Sequence, residues 1–245
     1  MFIATRIVRV HGVVPNLKAV LICGLALSLI TNCAHGVDER IDRAYVLARN
    51  PTARNKDRIE ALLRDGDRDI RATALVLMET IDKERAQRMA AGALQDPDGL
   101  VRSAAVTIVG PGADAATLLT LAALVVDDPV WQVRSRVLET IVPPDDPAVR
   151  ERFTHALSDP VRHVRRAALR AGIAYPGLLP ADRLSDLVVS DPDWENRVDA
   201  ARALGASNDP AAYAGLDAAL SDPNEFVRAT AAGERRALQS AGVAR

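Results

Sequence analysis

Cysteine, aromatic residues and strand-forming patterns are all scarce in this chain of 245 residues. It has two cysteines, and aromatic residues make up 3% of it, while hydrophobic residues make up 49%. No sustained alternation of apolar and polar residues appears, and no Asn-Gly or Asp-Gly turn joins two β-branched runs, which excludes a hairpin-based β protein. The sequence therefore predicts an all-α protein.

Catalytic patterns are missing as well. The four histidines show no metal-ligand spacing, and they are His11, His35, His155 and His163. Ser and Asp residues have no paired base, and Gly110-Pro111-Gly112 follows a predicted helix instead of opening one, so it is no phosphate loop. We therefore predict a non-enzymatic protein without catalytic residues, metal, cofactor or evident small-molecule substrate.

An Asp followed six residues later by an Arg recurs every 31 or 32 residues. The twelve positions of this ladder are Asp65 and Arg71, Asp96 and Arg102, Asp128 and Arg134, Asp159 and Arg165, Asp191 and Arg197, and Asp222 and Arg228. Self-similarity at this period indicates a solenoid, in which each repeat contacts only its neighbours.

Each Asp, followed by Pro in five of the six copies, is interpreted as a helix start. Asp is a favoured N-cap, and Pro is tolerated at the first helical position because its missing N–H has no helical partner. Apolar residues at helical spacing follow the Asp, such as Leu100, Val101 and Ala104, and a second helix precedes it. The predicted fold is an α-solenoid of about six antiparallel helix pairs.

The stretch from Ala93 to Ala105 reads Ala-Leu-x-Asp-Pro-x-x-x-Val-Arg-x-Ala-Ala and resembles the short HEAT-like repeats first described in phycobilisome lyases. The resemblance covers roughly residues 55–236. It implies a HEAT-like or armadillo-type superhelix. Lyases, other enzymes and plain scaffolds share such repeats, so function has to be inferred from a site.

The first 32 residues are predicted to be a lipoprotein signal peptide. Three cations precede an apolar run over residues 19–30, which is shorter than the ~20 residues of a membrane span. The following Ile30-Thr31-Asn32-Cys33 resembles a bacterial lipobox, which implies lipidation, including palmitate, at Cys33. A conventionally cleaved signal or an uncleaved anchor are the alternatives.

Removal of this leader also removes Cys23 and changes the formal net charge from −1 to −4. The predicted product is an exported lipoprotein, membrane-anchored on the periplasmic or outer face of the cell envelope. Ala34 after the Cys favours the outer membrane in the lipoproteins it resembles. Residues 33–54 are predicted to form a tether and N-terminal cap helix in which Ile41, Tyr45, Val46 and Leu47 cover the first repeat. Residues 55–245 are predicted to form the solenoid.

Two sets of residues are candidates for a site. The ladder is interpreted as structural, with each Arg donating to the carboxylate of its own or an adjacent turn. Trp131, Arg162 and Trp194 occupy the same position in three successive repeats, two residues after the Pro, and Trp and Arg are typical interface anchors. The alternative is that each Trp covers a groove between repeats, with Arg162 stacked on it as a cation–π pair.

The fourth repeat is locally basic, but acidic residues flank it and the predicted mature charge is negative, so no nucleic-acid binding is expected. We predict a protein-binding scaffold or adaptor of the cell envelope, which binds a protein partner on a concave face lined by the second helices. The alternatives are a bilin lyase subunit, implied by the resemblance, and a HEAT-like DNA glycosylase, which needs a cationic groove around a carboxylate.

Overall fold

The computed structural model describes residues 34–143 and 145–243, and every regular element in those ranges is helical. The α-helices are α1 (Ala34–Arg49), α2 (Ala53–Ala61), α3 (Arg68–Ile81), α4 (Lys83–Ala93), α5 (Gly99–Val109), α6 (Ala115–Asp127), α7 (Trp131–Thr140), α8 (Pro147–Ala156), α9 (Arg162–Ala174), α10 (Ala181–Ser190), α11 (Trp194–Ser207), α12 (Ala212–Ala219) and α13 (Glu225–Ser240). Single 3₁₀ turns follow α2 at Leu62–Arg64 and α5 at Gly110–Gly112.

The chain divides into two compact units, Met1–Arg43 and Ala44–Arg245. In the first unit the described residues are 34–43, the start of α1, where Arg43 pairs with Glu39 one turn earlier. The predicted signal peptide and Cys33 lie outside the described residues.

In the second unit, the end of α1 packs part of the predicted cap against the hydrophobic core. Ala44 is buried, and Tyr45 and Leu47 pack against the core. Val46 is 61% exposed, so its predicted packing is wrong. On a helix, residues 44, 47 and 48 share one face, and position 46 is turned away from it.

The rest of the second unit consists of six helix pairs. They are α2–α3, α4–α5, α6–α7, α8–α9, α10–α11 and α12–α13, and we call the first member of each pair the A helix and the second the B helix. Each B helix packs against the B helix of the next repeat. Large apolar side chains fill the space between the layers, such as Phe153 of α8 and Leu169 of α9, both fully buried. The predicted all-α solenoid of about six helix pairs is confirmed.

The predicted helix start at the ladder Asp is wrong. The N-cap of each B helix lies two residues further on, at Asp67, Asp98, Val130, Val161, Asp193 and Asn224. Each ladder Asp instead accepts the backbone N–H of that N-cap residue at 2.8–2.9 Å, which closes a turn ahead of the helix. The carboxylate is therefore fixed on the turn, where it remains accessible to a second donor.

A glycine allows a close approach between two A helices. A Cβ on Gly215 of α12 would lie 2.9 Å from the Cα of Ser185 on α10, too near for any side chain without backbone movement. A Cβ on Gly233 of α13 would have no neighbouring atom within 4 Å. The first glycine is required by packing, and the second is not.

Candidate functional site

The Arg of each repeat binds the Asp of the next repeat through two parallel hydrogen bonds. Five such pairs run along the B helices, namely Arg71–Asp96, Arg102–Asp128, Arg134–Asp159, Arg165–Asp191 and Arg197–Asp222. In each pair Nε donates to Oδ2 at 2.7–2.8 Å and Nη2 donates to Oδ1 at 2.8–3.0 Å. This bidentate geometry is the strong form of the Arg–carboxylate pair.

The third nitrogen of each ladder Arg points back to its own repeat. Nη1 donates to the backbone carbonyl of the Asp six residues earlier, at 2.7–2.9 Å in all six repeats. One guanidinium therefore ties the turn of its own repeat to the turn of the next. Within the described residues Arg228, the last ladder Arg, is exposed and donates only to the carbonyls of Asp222 and Pro223.

The ladder pairs are buried, which indicates a structural role. The carboxylate side chain of Asp191 is 0% exposed and that of Asp128 is 2% exposed. The hydrogen bonds from Arg197 hold the pKa of Asp222 below the usual aspartate value, despite the opposing effect of burial. Buried side chains that are already bonded to each other and to the turns are better suited to holding adjacent repeats together than to binding a ligand.

The three predicted anchors lie together at the start of three successive B helices. Trp131, Arg162 and Trp194 are the first residues of α7, α9 and α11. Trp194 is 42% exposed and Arg162 is exposed, whereas Trp131 is half-buried. Because neighbouring packed helices are about 8–10 Å apart, the three side chains stand in a row across the repeats.

Each Trp stacks on an aromatic ring of the next repeat. The ring centroids of Trp131 and His163 are 5.1 Å apart, and those of Trp194 and Phe226 are 5.6 Å apart. His163 and Phe226 each occupy the second position of their B helix, and sequence reasoning missed both as members of the site. We call Trp131, Arg162, His163, Trp194 and Phe226 the B-helix rim.

Arg162 does not join these stacks. Its Nη1 donates to the carboxylate of Asp193 at 2.7 Å, so the structure pairs it with the N-cap of the next B helix and not with a Trp ring, as the alternative interpretation had it. The rim therefore consists of two aromatic stacks, α7–α9 and α11–α13, with an ion pair between α9 and α11. Phe226 is 58% exposed, so the second stack presents apolar surface to solvent.

The basic residues of the fourth repeat are largely neutralised by the fifth. Asp199 of α11, whose side chain is 4% exposed, accepts from Arg166 at 3.2 Å, Arg170 at 3.4 Å and Arg202 at 3.1 Å. Arg166 also donates to Glu195 at 2.8 Å. The locally basic fourth repeat therefore contributes to a network of opposite charges along the B helices.

Residues 34–143 and 145–243 contain no helix that is both long and apolar enough to cross a membrane. The same ranges contain no cluster of three or more His, Cys, Asp or Glu side chains arranged to hold a metal ion.

A row of helix pairs joined by a repeated Arg–Asp ladder defines an α-solenoid repeat protein. The family model described as HEAT repeats matches residues 55–141 and 181–242, more than half of the chain, and the chain therefore belongs to the HEAT repeat family. The intervening residues 142–180 contain Asp159 and Arg165 of the same ladder.

Known structures share this architecture at low sequence identity. The X-ray structure of YibA from Escherichia coli is 18% identical with a TM-score of 0.58, and the match covers 87% of this chain and 80% of that one. The archaeal HEAT-like repeats protein from Thermococcus onnurineus NA1 is 15% identical with a TM-score of 0.55, covering 92% and 98%. At these identities the likeness shows the fold alone. No curated protein matches the chain in sequence.

Proposed function

We propose that this protein is a non-enzymatic scaffold of the cell envelope that binds a protein partner on the exposed surface of its B helices. The observation that best supports this proposal is the pair of aromatic stacks on the B-helix rim. Trp194 and Phe226, 42% and 58% exposed, form a continuous apolar surface, and such a surface favours contact with another molecule.

The two stacks are related by the repeat itself. Trp194 follows Trp131 by two repeats, and Phe226 follows His163 by the same interval. At about 8–10 Å for each neighbouring helix, two repeats place the stacks roughly 16–20 Å apart. An extended peptide covers that distance in about five or six residues, at ~3.3 Å per residue. The rim is therefore suited to an extended partner segment with an apolar side chain near each end.

Anchoring at the envelope is the second part of the proposal and rests on the leader. Export with acylation of Cys33 would attach the repeats to a membrane surface. Two or more acyl chains give stable attachment, whereas one gives marginal binding.

An enzymatic alternative has less support. A glycosylase needs an available carboxylate in a cationic groove. On the B helices, Asp199 is the carboxylate that three arginines surround. Its side chain is 4% exposed and accepts from three arginines, so its charge is already compensated. No described contact favours the bilin lyase alternative.

The test is partner capture by the full-length chain from a membrane fraction of the source cells. We expect Trp131→Ala combined with Trp194→Ala to reduce capture at least tenfold, because interface Trp residues often carry 2 kcal/mol or more of the binding energy. Helical circular dichroism should stay near wild type. Leu119→Ala is the matched control, since Leu119 is a 50% exposed apolar residue on the A helix α6.

Unchanged capture by the double variant would refute the rim as the binding surface. Loss of helical signal would instead assign both Trp residues to the fold. In that case Phe226→Ala, which removes a 58% exposed ring, tests the same surface with little effect on packing.

A further inference from the structure

A cleft of about 350 Å³ opens between the B helices α7 and α9, beside the first aromatic stack. We call it the α7–α9 cleft, and the residues that define it are Trp131, Arg136, Glu139, His163, Arg166 and Arg170. Three of them are arginines and one is a glutamate, so the lining carries a surplus of positive charge.

The existing ion pairs neutralise the three arginines of the cleft to different extents. Arg136 pairs with Glu139 at 3.2 Å, and Arg166 pairs with Glu195 at 2.8 Å and with Asp199 at 3.2 Å. Arg170 has one weak contact, Nε to Asp199 at 3.4 Å, and shares that carboxylate with two other arginines. Arg170 is therefore the least compensated cation of the cleft.

Arg170 is also available to a ligand. Its side chain is 63% exposed, and within residues 34–143 and 145–243 its two terminal nitrogens have no hydrogen-bond partner. The contact from Nε to the buried Asp199 orients the guanidinium, leaving Nη1 and Nη2 as donors. Two adjacent donors on one guanidinium match the two oxygens of a carboxylate.

The neighbouring acidic groups limit how much anionic charge the surface accepts. Glu139 lines the cleft, Glu195 and Asp199 lie on the next helix, and Glu234 of α13 lies close enough to Arg202 for their charges to interact. With these four carboxylates beside the arginines, the surface lacks the continuous cationic track that a nucleic-acid backbone requires. The surface is better suited to a ligand that carries one or two carboxylates.

From this charge balance we infer that the α7–α9 cleft binds an acidic side chain of the partner, so that the partner segment is an acidic peptide crossing the B-helix rim. The carboxylate binds the terminal nitrogens of Arg170, and apolar atoms next to it pack on the Trp131–His163 stack. This inference rests on the proposed function and specifies the chemistry of the partner at the same surface.

The probe is a hexapeptide with blocked ends, Leu-Glu-Glu-Glu-Glu-Leu, whose terminal leucines are spaced to reach both stacks. The chain has two Trp residues, so the indole N–H signals of the full-length protein in ¹H–¹⁵N spectra report separately on Trp131 and Trp194. Trp→Phe variants assign the two signals. We expect a saturable shift of the Trp131 signal with the Glu peptide, and binding at least tenfold weaker for the same peptide with Gln in place of Glu.

Arg170→Gln should weaken binding of the Glu peptide by about tenfold. The matched control is Arg183→Gln, which removes the same charge from an exposed arginine on the A helix α10, where Arg183 donates to Ser158. If both variants weaken peptide binding equally, the weakening is due to the loss of one positive charge anywhere on the protein, and the inference is overturned. Equal binding of the Glu and Gln peptides would overturn it as well.

Sodium glutarate separates a partner segment from a free carboxylate. If glutarate binds as tightly as the Glu peptide, the cleft is a small-molecule site and the acidic-partner inference is wrong. The two proposals fail separately. Loss of partner capture with both Trp residues replaced, but not with Arg170→Gln, keeps the scaffold and rejects the acidic contact. Capture that survives the Trp replacements rejects the rim, whatever the peptide does.

Discussion

Breaking one ladder pair in the middle of the repeats should destabilise the protein far more than removing the last ladder Arg. The perturbation is Arg165→Met, which keeps most of the apolar stem and deletes the guanidinium. Arg165 makes two hydrogen bonds to Asp191 and two to backbone carbonyls, and the variant removes the cation from Asp191, whose side chain is 0% exposed in the native structure. Removing one partner of a buried ion pair costs about 3–5 kcal/mol, because the remaining charge is uncompensated.

Arg228→Met is the matched control. Arg228 occupies the equivalent position in the sixth repeat, makes the same two bonds to turn carbonyls at 2.7 and 3.0 Å, and is exposed. Its removal should cost about 1 kcal/mol or less, as for an ordinary hydrogen bond that water can replace. The difference between the two variants isolates the carboxylate contact to the next repeat.

Urea unfolding followed by circular dichroism measures both free energies. A third variant, Arg165→Met with Asp191→Asn, removes the buried charge while the Asn oxygen still accepts the N–H of Asp193. It should recover about 1–3 kcal/mol of the loss expected from the two single changes. The reasoning is refuted if Arg165→Met and Arg228→Met cost the same, or if Arg165→Met costs less than about 1 kcal/mol.

Two further predictions concern the leader and the helix packing. Cys33→Ser should abolish incorporation of labelled palmitate, and incorporation that persists in the variant would reject Cys33 as the lipid attachment point. Gly233→Ala should stabilise the protein by about 0.5–1 kcal/mol, since it replaces an unhindered Gly within a helix. Gly215→Ala should destabilise it by about 1–3 kcal/mol by overpacking against Ser185, and thermal unfolding that ranks the two variants the other way would contradict the packing described.

The repeats were predictable from the sequence because ladder residues keep a constant spacing. Asp and Arg stand six residues apart in every copy, and the helix pairs follow that period. The predicted start of each B helix was wrong because we assigned the Asp before each Pro a single role, that of the helix N-cap. In the structure its carboxylate serves the turn and the preceding Arg, and in four repeats a second polar residue, such as Asp98, caps the helix.

The site was only partly predictable. The register of Trp131, Arg162 and Trp194 follows from the period, but the stacking partners depend on how far adjacent B helices are staggered. That stagger places the first residue of one helix beside the second residue of the next, and a single repeat does not reveal it. The one available signal was the equal two-repeat interval from Trp131 to Trp194 and from His163 to Phe226.

The uniformity of the ladder has a consequence for how the chain selects its correct neighbours. The five Arg–Asp pairs have nearly the same geometry, so their chemistry alone does not distinguish a true neighbour from a repeat further along. Discrimination has to come from contacts that differ between repeats. Gly99 beside Val130 and Gly215 beside Ser185 are such contacts, because each close approach depends on the residue that the neighbouring repeat supplies. Replacing either glycine by a larger residue should promote swapped or skipped pairings between repeats, a characteristic misfolding route of repeat proteins.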